Sequence, residues 1–152
     1  MLILRKSAEF TNSVEDLKII YKSYVRNLLE QSSVVWGSSL SEENKTDIER
    51  VQKNACRIIL GNKYTNYENS LEVIGLENLE ERRTSLAFKF GQNCIQNQRI
   101  RKLFPLRKKQ HKFKTRKEEK FKIFKCKKKR LQTSTIPYLR KILNENNFQN
   151  IF

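Results

Sequence analysis

Apolar residues along the first two thirds of the chain recur at helical steps. From Ser13, which stands to Asp16 in the spacing of a capping box, Leu17, Ile20, Tyr21, Tyr24 and Leu28 follow at intervals of three and four. Ile19, Val25 and Leu29 widen this stripe, so the pattern predicts a half-buried helix. A second helix is predicted from Ser41, an N-cap ahead of Glu42 and Glu43, with Ile48, Val51, Ala55, Ile58 and Ile59 on its apolar face and Gly61 just past its end. Between the two, Ser32 to Leu40 reads as an ordered loop with Trp36 plugged into the core. A short helix over Tyr67 to Ile74 stops at Gly75, and a longer one from about Leu79 carries Leu86, Phe90 and Cys94 at steps of four, with Ala87 alongside. The fold expected over 13–97 is thus a bundle of about four helices.

The pattern then breaks. Of the 24 residues 107–130, 14 are Lys or Arg, while Glu118 and Glu119 are acidic. Self-repulsion disfavours a compact state there. Phe113, Phe121, Ile123 and Phe124 interrupt the charge without a clean period. The expectation is a basic, partly disordered arm, with extended, partly helical and disordered forms all open. Beyond it, Pro137 suits a helix start and Tyr138, Leu139, Ile142 and Leu143 form a short stripe, so a small terminal helix is expected, docked back or free. The organisation expected is a helical domain over 1–98, a basic arm over 99–133 and a terminal helix and tail over 134–152.

Composition agrees with an all-α class: four Gly and two Pro leave few tight turns for a sandwich or barrel among 152 residues. The three cysteines Cys56, Cys94 and Cys126 show no CxxC pair and read as reduced thiols rather than a disulfide or zinc framework. Leu2 to Leu4 is too short an apolar run for a signal peptide, and no later run approaches a membrane span. The expected setting is intracellular, nuclear or cytoplasmic, with no membrane partner.

Charge sharpens the functional picture. Residues 1–98 carry 13 basic and 13 acidic side chains, whereas residues 99–152 carry 19 and 3, so the whole net charge of +16 lies in the last third. A concentrated cation of this kind seeks a polyanion. The candidate nucleic-acid contacts are Arg107, Lys108, Lys109, Lys112, Lys114, Arg116, Lys117, Lys120, Lys122, Lys125, Lys127, Lys128, Lys129 and Arg130, with Phe121 and Phe124 as base-stacking residues. Lysine outnumbers arginine, which favours phosphate contact over base reading and predicts poor sequence specificity.

Several ordered blocks carry a resemblance. LKIIYKSYVRNLLEQSSVVWGSSL at Leu17 to Leu40, ERVQKNACRIILG at Glu49 to Gly61, LENLEERRTSL at Leu76 to Leu86, FPLRKKQHKFKTRKEEKF at Phe104 to Phe121 and STIPYLRKILN at Ser134 to Asn144 resemble, in that order, the region downstream of the polymerase palm in jockey-like non-LTR retrotransposon reverse transcriptases. The resemblance implies a detached tail of an RNA-directed DNA polymerase, with Met1 falling mid-protein and with RNA or DNA as partner. It also implies what this chain lacks. The family's palm holds two metal ions on aspartates, one pair of them adjacent, and the aspartates here, Asp16 and Asp47, have no acidic partner so placed.

Other candidates have plainer readings. His111, the lone histidine, has no orienting acid and reads as a solvated side chain. Cys126 sits between lysines that would lower a thiol pKa, yet reads as a plain exposed cysteine. Arg82 and Arg83 follow Glu80 and Glu81, so helical ion pairing accounts for them ahead of a phosphate contact. The expectation is a non-catalytic chain with no cofactor, no metal and no small-molecule substrate. Its partners would be nucleic acid and, further, the upstream reverse transcriptase domain or a second copy. Two alternatives stand beside it: a decayed mobile-element relic, or a helical protein-interaction adaptor whose basic arm serves nuclear import.

Overall fold

A computed structural model describes residues 1–11, 13–106, 121–123, 125 and 127–145. The fold is all-α. Its helices are α1 (Leu2–Phe10), α2 (Val14–Ile20), α3 (Asn27–Glu30), α4 (Ser33–Trp36), α5 (Glu42–Leu60), α6 (Tyr67–Ile74), α7 (Leu79–Gln96), α8 (Lys129–Gln132) and α9 (Thr135–Glu145). No strand occurs among the described residues; Leu106 and Phe121 form an isolated antiparallel bridge. Among the described residues no helix is long and apolar enough to cross a membrane.

Two compact units divide the chain: residues 1–33 with 40–83, and residues 34–39 with 84–152. This replaces the expected boundary at 98. The division falls inside α7, and residues 84–98 belong with the supposed arm and the terminal helix, because Ala87, Cys94 and Ile95 share a core with Phe104, Phe121, Leu139 and Leu143.

In the first unit the caps do what their side chains predict. Ser13 Oγ accepts from the Asp16 amide at 3.3 Å, and Ser41 Oγ from the Asn44 amide at 3.2 Å. At the end of α6, Gly75 takes a left-handed φ of 69°, its N–H donating to Glu72 O at 3.1 Å while the Leu76 N–H donates to Leu71 O at 2.9 Å. This is a Schellman closure, which an L side chain would strain and which turns Leu76 into the core.

The first helix departs from expectation in its second half. Tyr21–Arg26 is a π-helix joining α2 to α3. Its i→i+5 hydrogen bonds widen the turn, so the inward place passes one position further along. Leu17 and Tyr21 are buried and Val25 and Leu29 half-buried, whereas Tyr24 and Leu28, expected inside, are 59% and 70% exposed. Two further elements were not expected. α1 has no side-chain cap and only Leu4 fully buried. The Ser32 to Leu40 segment is not a loop but α4 followed by a 3-10 turn, Gly37–Ser39, and Trp36 is half-buried rather than fully enclosed.

In the second unit α9 is docked, with Leu139, Ile142 and Leu143 each under 5% exposed. It meets α7 at Gly91, where an added Cβ would lie 3.2 Å from the Leu143 side chain and would push it back by a few tenths of an ångström. Phe90, expected inside, is 44% exposed, and the inward positions are Ala87, Gly91, Cys94 and Ile95. Residues 34–39 are tied on by Ser38 Oγ donating to Thr133 O at 2.6 Å and Thr135 Oγ1 donating to Val35 O at 3.1 Å.

Candidate nucleic-acid interface

The second unit is built around two side chains of α9 spaced one turn apart. Arg140 is 3% exposed; its Nε donates to Leu103 O at 3.0 Å, Nη2 donates to the same carbonyl, and Nη1 donates to Lys122 O at 3.1 Å. Asn144 Oδ1 accepts the Phe121 N–H at 2.9 Å, and its Nδ2 donates to Phe121 O at 3.1 Å. The Lys122 N–H donates to Pro105 O at 3.0 Å. A buried guanidinium is costly unless its donors are satisfied. Here backbone carbonyls satisfy them, and the chain before 107 is thereby fastened to the chain after 120.

Phe121 is the correction this arrangement forces. Expected as a base-stacking residue, it is 3% exposed and packs edge-on against Phe104, ring centroids 6.3 Å apart and planes at 80°. Its ring is core and has no face left for a base. Of the expected phosphate contacts, Lys122, Lys125, Lys127, Lys128, Lys129 and Arg130 are exposed, the last two in the first turn of α8. Arg107 to Lys120, Phe124, His111 and Cys126 lie outside the described residues. The second unit's described residues hold twelve Lys and Arg against Glu145 alone, which lies 3.9 Å from Lys141. Sequence reasoning missed Arg140 and Asn144. The available signal was an arginine inside the apolar stripe of a terminal helix with an asparagine four residues on.

The first unit holds polar groups of another kind. Gln52, fully buried, accepts from Tyr21 Oη at 2.6 Å and donates to Tyr67 Oη at 3.0 Å and Glu77 O at 2.9 Å. Tyr67 Oη in turn donates to Glu49, whose carboxylate also accepts the Leu79 N–H at 3.4 Å. Burial pushes both tyrosine hydroxyls up, and it pushes the Cys56 thiol from 9.0 up to about 11. These are groups held neutral and satisfied, unlike a nucleophile poised near pH 7. The ion pairs also differ from expectation. Arg82 pairs with Glu30 and lies 3.6 Å from Glu77, Glu80 meets Lys45 at 2.8 Å, and Arg83 is 6% exposed with Nη1 lacking a hydrogen-bond partner. Asp47 pairs with Arg50 at 2.9 Å and Asp16 accepts from Thr11 at 3.3 Å. No group of three or more His, Cys, Asp or Glu among the described residues could hold a metal ion.

The raised thiol carries a pH prediction. The native state keeps its proton where the unfolded chain loses it, so this contribution is complete below about pH 8.5 and is lost as pH rises through 9 to 11. At 1.36 kcal/mol per pKa unit it amounts to roughly 3 kcal/mol, and the two tyrosines extend the decline above pH 10. Urea melts at stepped pH should therefore show falling stability from pH 9 upward, with a shallower fall in Cys56→Ala. A flat profile to pH 11 would place the thiol in water.

Compared with protein-family models, curated proteins and solved structures, the chain matches none.

Proposed function

We propose that this chain is a non-catalytic, C-terminal part of a retrotransposon reverse transcriptase that binds RNA or single-stranded DNA through its lysine-rich segment, with little sequence specificity. The observation that carries the reading is the exposed row Lys122, Lys125 and Lys127 to Arg130, in a unit whose described residues hold twelve Lys and Arg and one acidic side chain, Glu145. The ordered sequence blocks supply the parent family. Phosphate neutralisation needs cations that reach solvent, and it leaves a signature in salt dependence.

If residues 107–130 neutralise on the order of six phosphates, log K against log salt should fall with a slope of about −4 to −5. Replacing Lys127, Lys128, Lys129 and Arg130 by Gln should shrink that slope by roughly 3. Fluorescence anisotropy with an unstructured oligonucleotide across a salt series measures both. Binding that keeps its slope after deletion of 107–130 would overturn this assignment. The adaptor reading is favoured by a different observation, the exposure of Leu2 at 76%, Phe10 at 88% and Leu28 at 70% in the first unit. It predicts full activity of the chain toward a protein partner when those cations are gone.

A further inference from the structure

We propose that Arg83, with the Ser33 hydroxyl as a second donor, binds a small inorganic oxyanion of the phosphate kind in the first unit. The site stands apart from the lysine-rich segment and does not depend on the nucleic-acid reading.

Arg83 is the more buried of two adjacent arginines and the one left without an acid. Arg82, its side chain 28% exposed, pairs with Glu30 and lies 3.6 Å from Glu77. Arg83 is 6% exposed, makes no ion pair among the described residues, and its enclosed Nη1 has no hydrogen-bond partner. The ordinary order is the reverse, because a guanidinium taken out of water needs a counter-charge more than one left in it. Its own helix supplies none. The positions three and four away on α7 are Leu79, Glu80, Leu86 and Ala87, and the Glu80 carboxylate is spent at 2.8 Å from Lys45 Nζ. Arg140, 3% exposed, shows how an enclosed guanidinium is satisfied from within, since its three nitrogens all donate to the carbonyls of Leu103 and Lys122. Arg83 Nη1 meets no such carbonyl.

Ser33 Oγ is the other enclosed side-chain atom without a partner among the described residues, in a residue 4% exposed. The two belong to one neighbourhood. Ser33 lies three residues beyond Glu30, Arg83 directly follows Arg82, and the Glu30–Arg82 pair joins those segments. Between Glu30 and Ser33 the chain turns at Ser32, whose left-handed φ of 54° is uncommon for a residue other than glycine. A guanidinium and a hydroxyl both donate, so their shared ligand has to accept on more than one atom and carry negative charge. An oxyanion does both, and a guanidinium meets it through parallel N–H···O bonds. Burial of both side chains restricts the ligand to an ion rather than a polymer.

The test titrates the full chain with inorganic phosphate in a calorimeter at neutral pH, with ionic strength held by chloride. The parent should take up phosphate saturably at a single site. Its thermal midpoint should climb with phosphate concentration, as for any ligand that binds only the native state. Ser33→Ala should weaken Kd about tenfold, since a hydrogen bond to a charged group is lost. Arg83→Met should abolish binding and, without phosphate, unfold no earlier than the parent, because an apolar chain replaces an enclosed unpaired charge. If Arg83→Met does not fold, the parent isotherm and Ser33→Ala still decide. A parent that takes up no phosphate overturns the site. So does an isotherm that Arg83→Met and Ser33→Ala leave unchanged, which would assign the uptake to other cations of the chain.

Discussion

Gln52→Ala is expected to bring the first unit close to unfolding. The side chain is fully buried and serves Tyr21 Oη, Tyr67 Oη and Glu77 O together. Truncation leaves the buried Tyr21 hydroxyl without its acceptor, at about 1–3 kcal/mol, and takes a donor from Tyr67 Oη and Glu77 O, besides the lost packing. A total of roughly 3–6 kcal/mol compares with the 5–15 kcal/mol that domains usually possess. Thermal or urea unfolding followed by tyrosine fluorescence and circular dichroism would register it. Gln52→Leu combined with Tyr21→Phe should lose less than Gln52→Ala, because removing both partners leaves one orphan fewer. A Gln52→Ala chain as stable as the parent would mean that water reaches this network.

Phe121→Ala should cost about 3–5 kcal/mol, the usual range for a buried phenylalanine. The ring fills space against Phe104 while its backbone is bracketed by Asn144, so the loss should fall on the second unit. The variant distinguishes the core position from the stacking role that its place among lysines suggests. As a stacking residue it would leave the unfolding midpoint unchanged and weaken binding to unpaired strands by about 1–3 kcal/mol per base. As a core residue it lowers the midpoint, and at temperatures where the variant stays folded the salt slope of binding is kept.

Legibility in the sequence followed how local the physics was. Ser13, Ser41 and Gly75 act within a few residues of themselves, and α2, α5 and α6 begin or end where those residues imply. Gln52 could not be read, because a glutamine on an apolar face is explained only by partners from elsewhere in the chain, Tyr21, Tyr67 and Glu77. Phe121 was misplaced for the same reason. Its neighbours in sequence are lysines, and its neighbours in space, Phe104 and Asn144, are seventeen and twenty-three residues away. Lys122, Lys125 and Lys127 to Arg130 are exposed, which is what a run of like charges dictates by itself.

The π-helix Tyr21–Arg26 amounts, in evolutionary terms, to one residue carried as an insertion. The inward residues Leu17, Tyr21, Val25 and Leu29 are four apart throughout, which an α-helix cannot keep on one face over three steps. Removing one exposed residue between Tyr21 and Val25, such as Ser23, turns those spacings into four, three and four. That is the ordinary α stripe, with the same four side chains still pointing inward. A relative one residue shorter here would need no compensating change in the core, and in an alignment its gap belongs at positions 22–24 rather than in a loop.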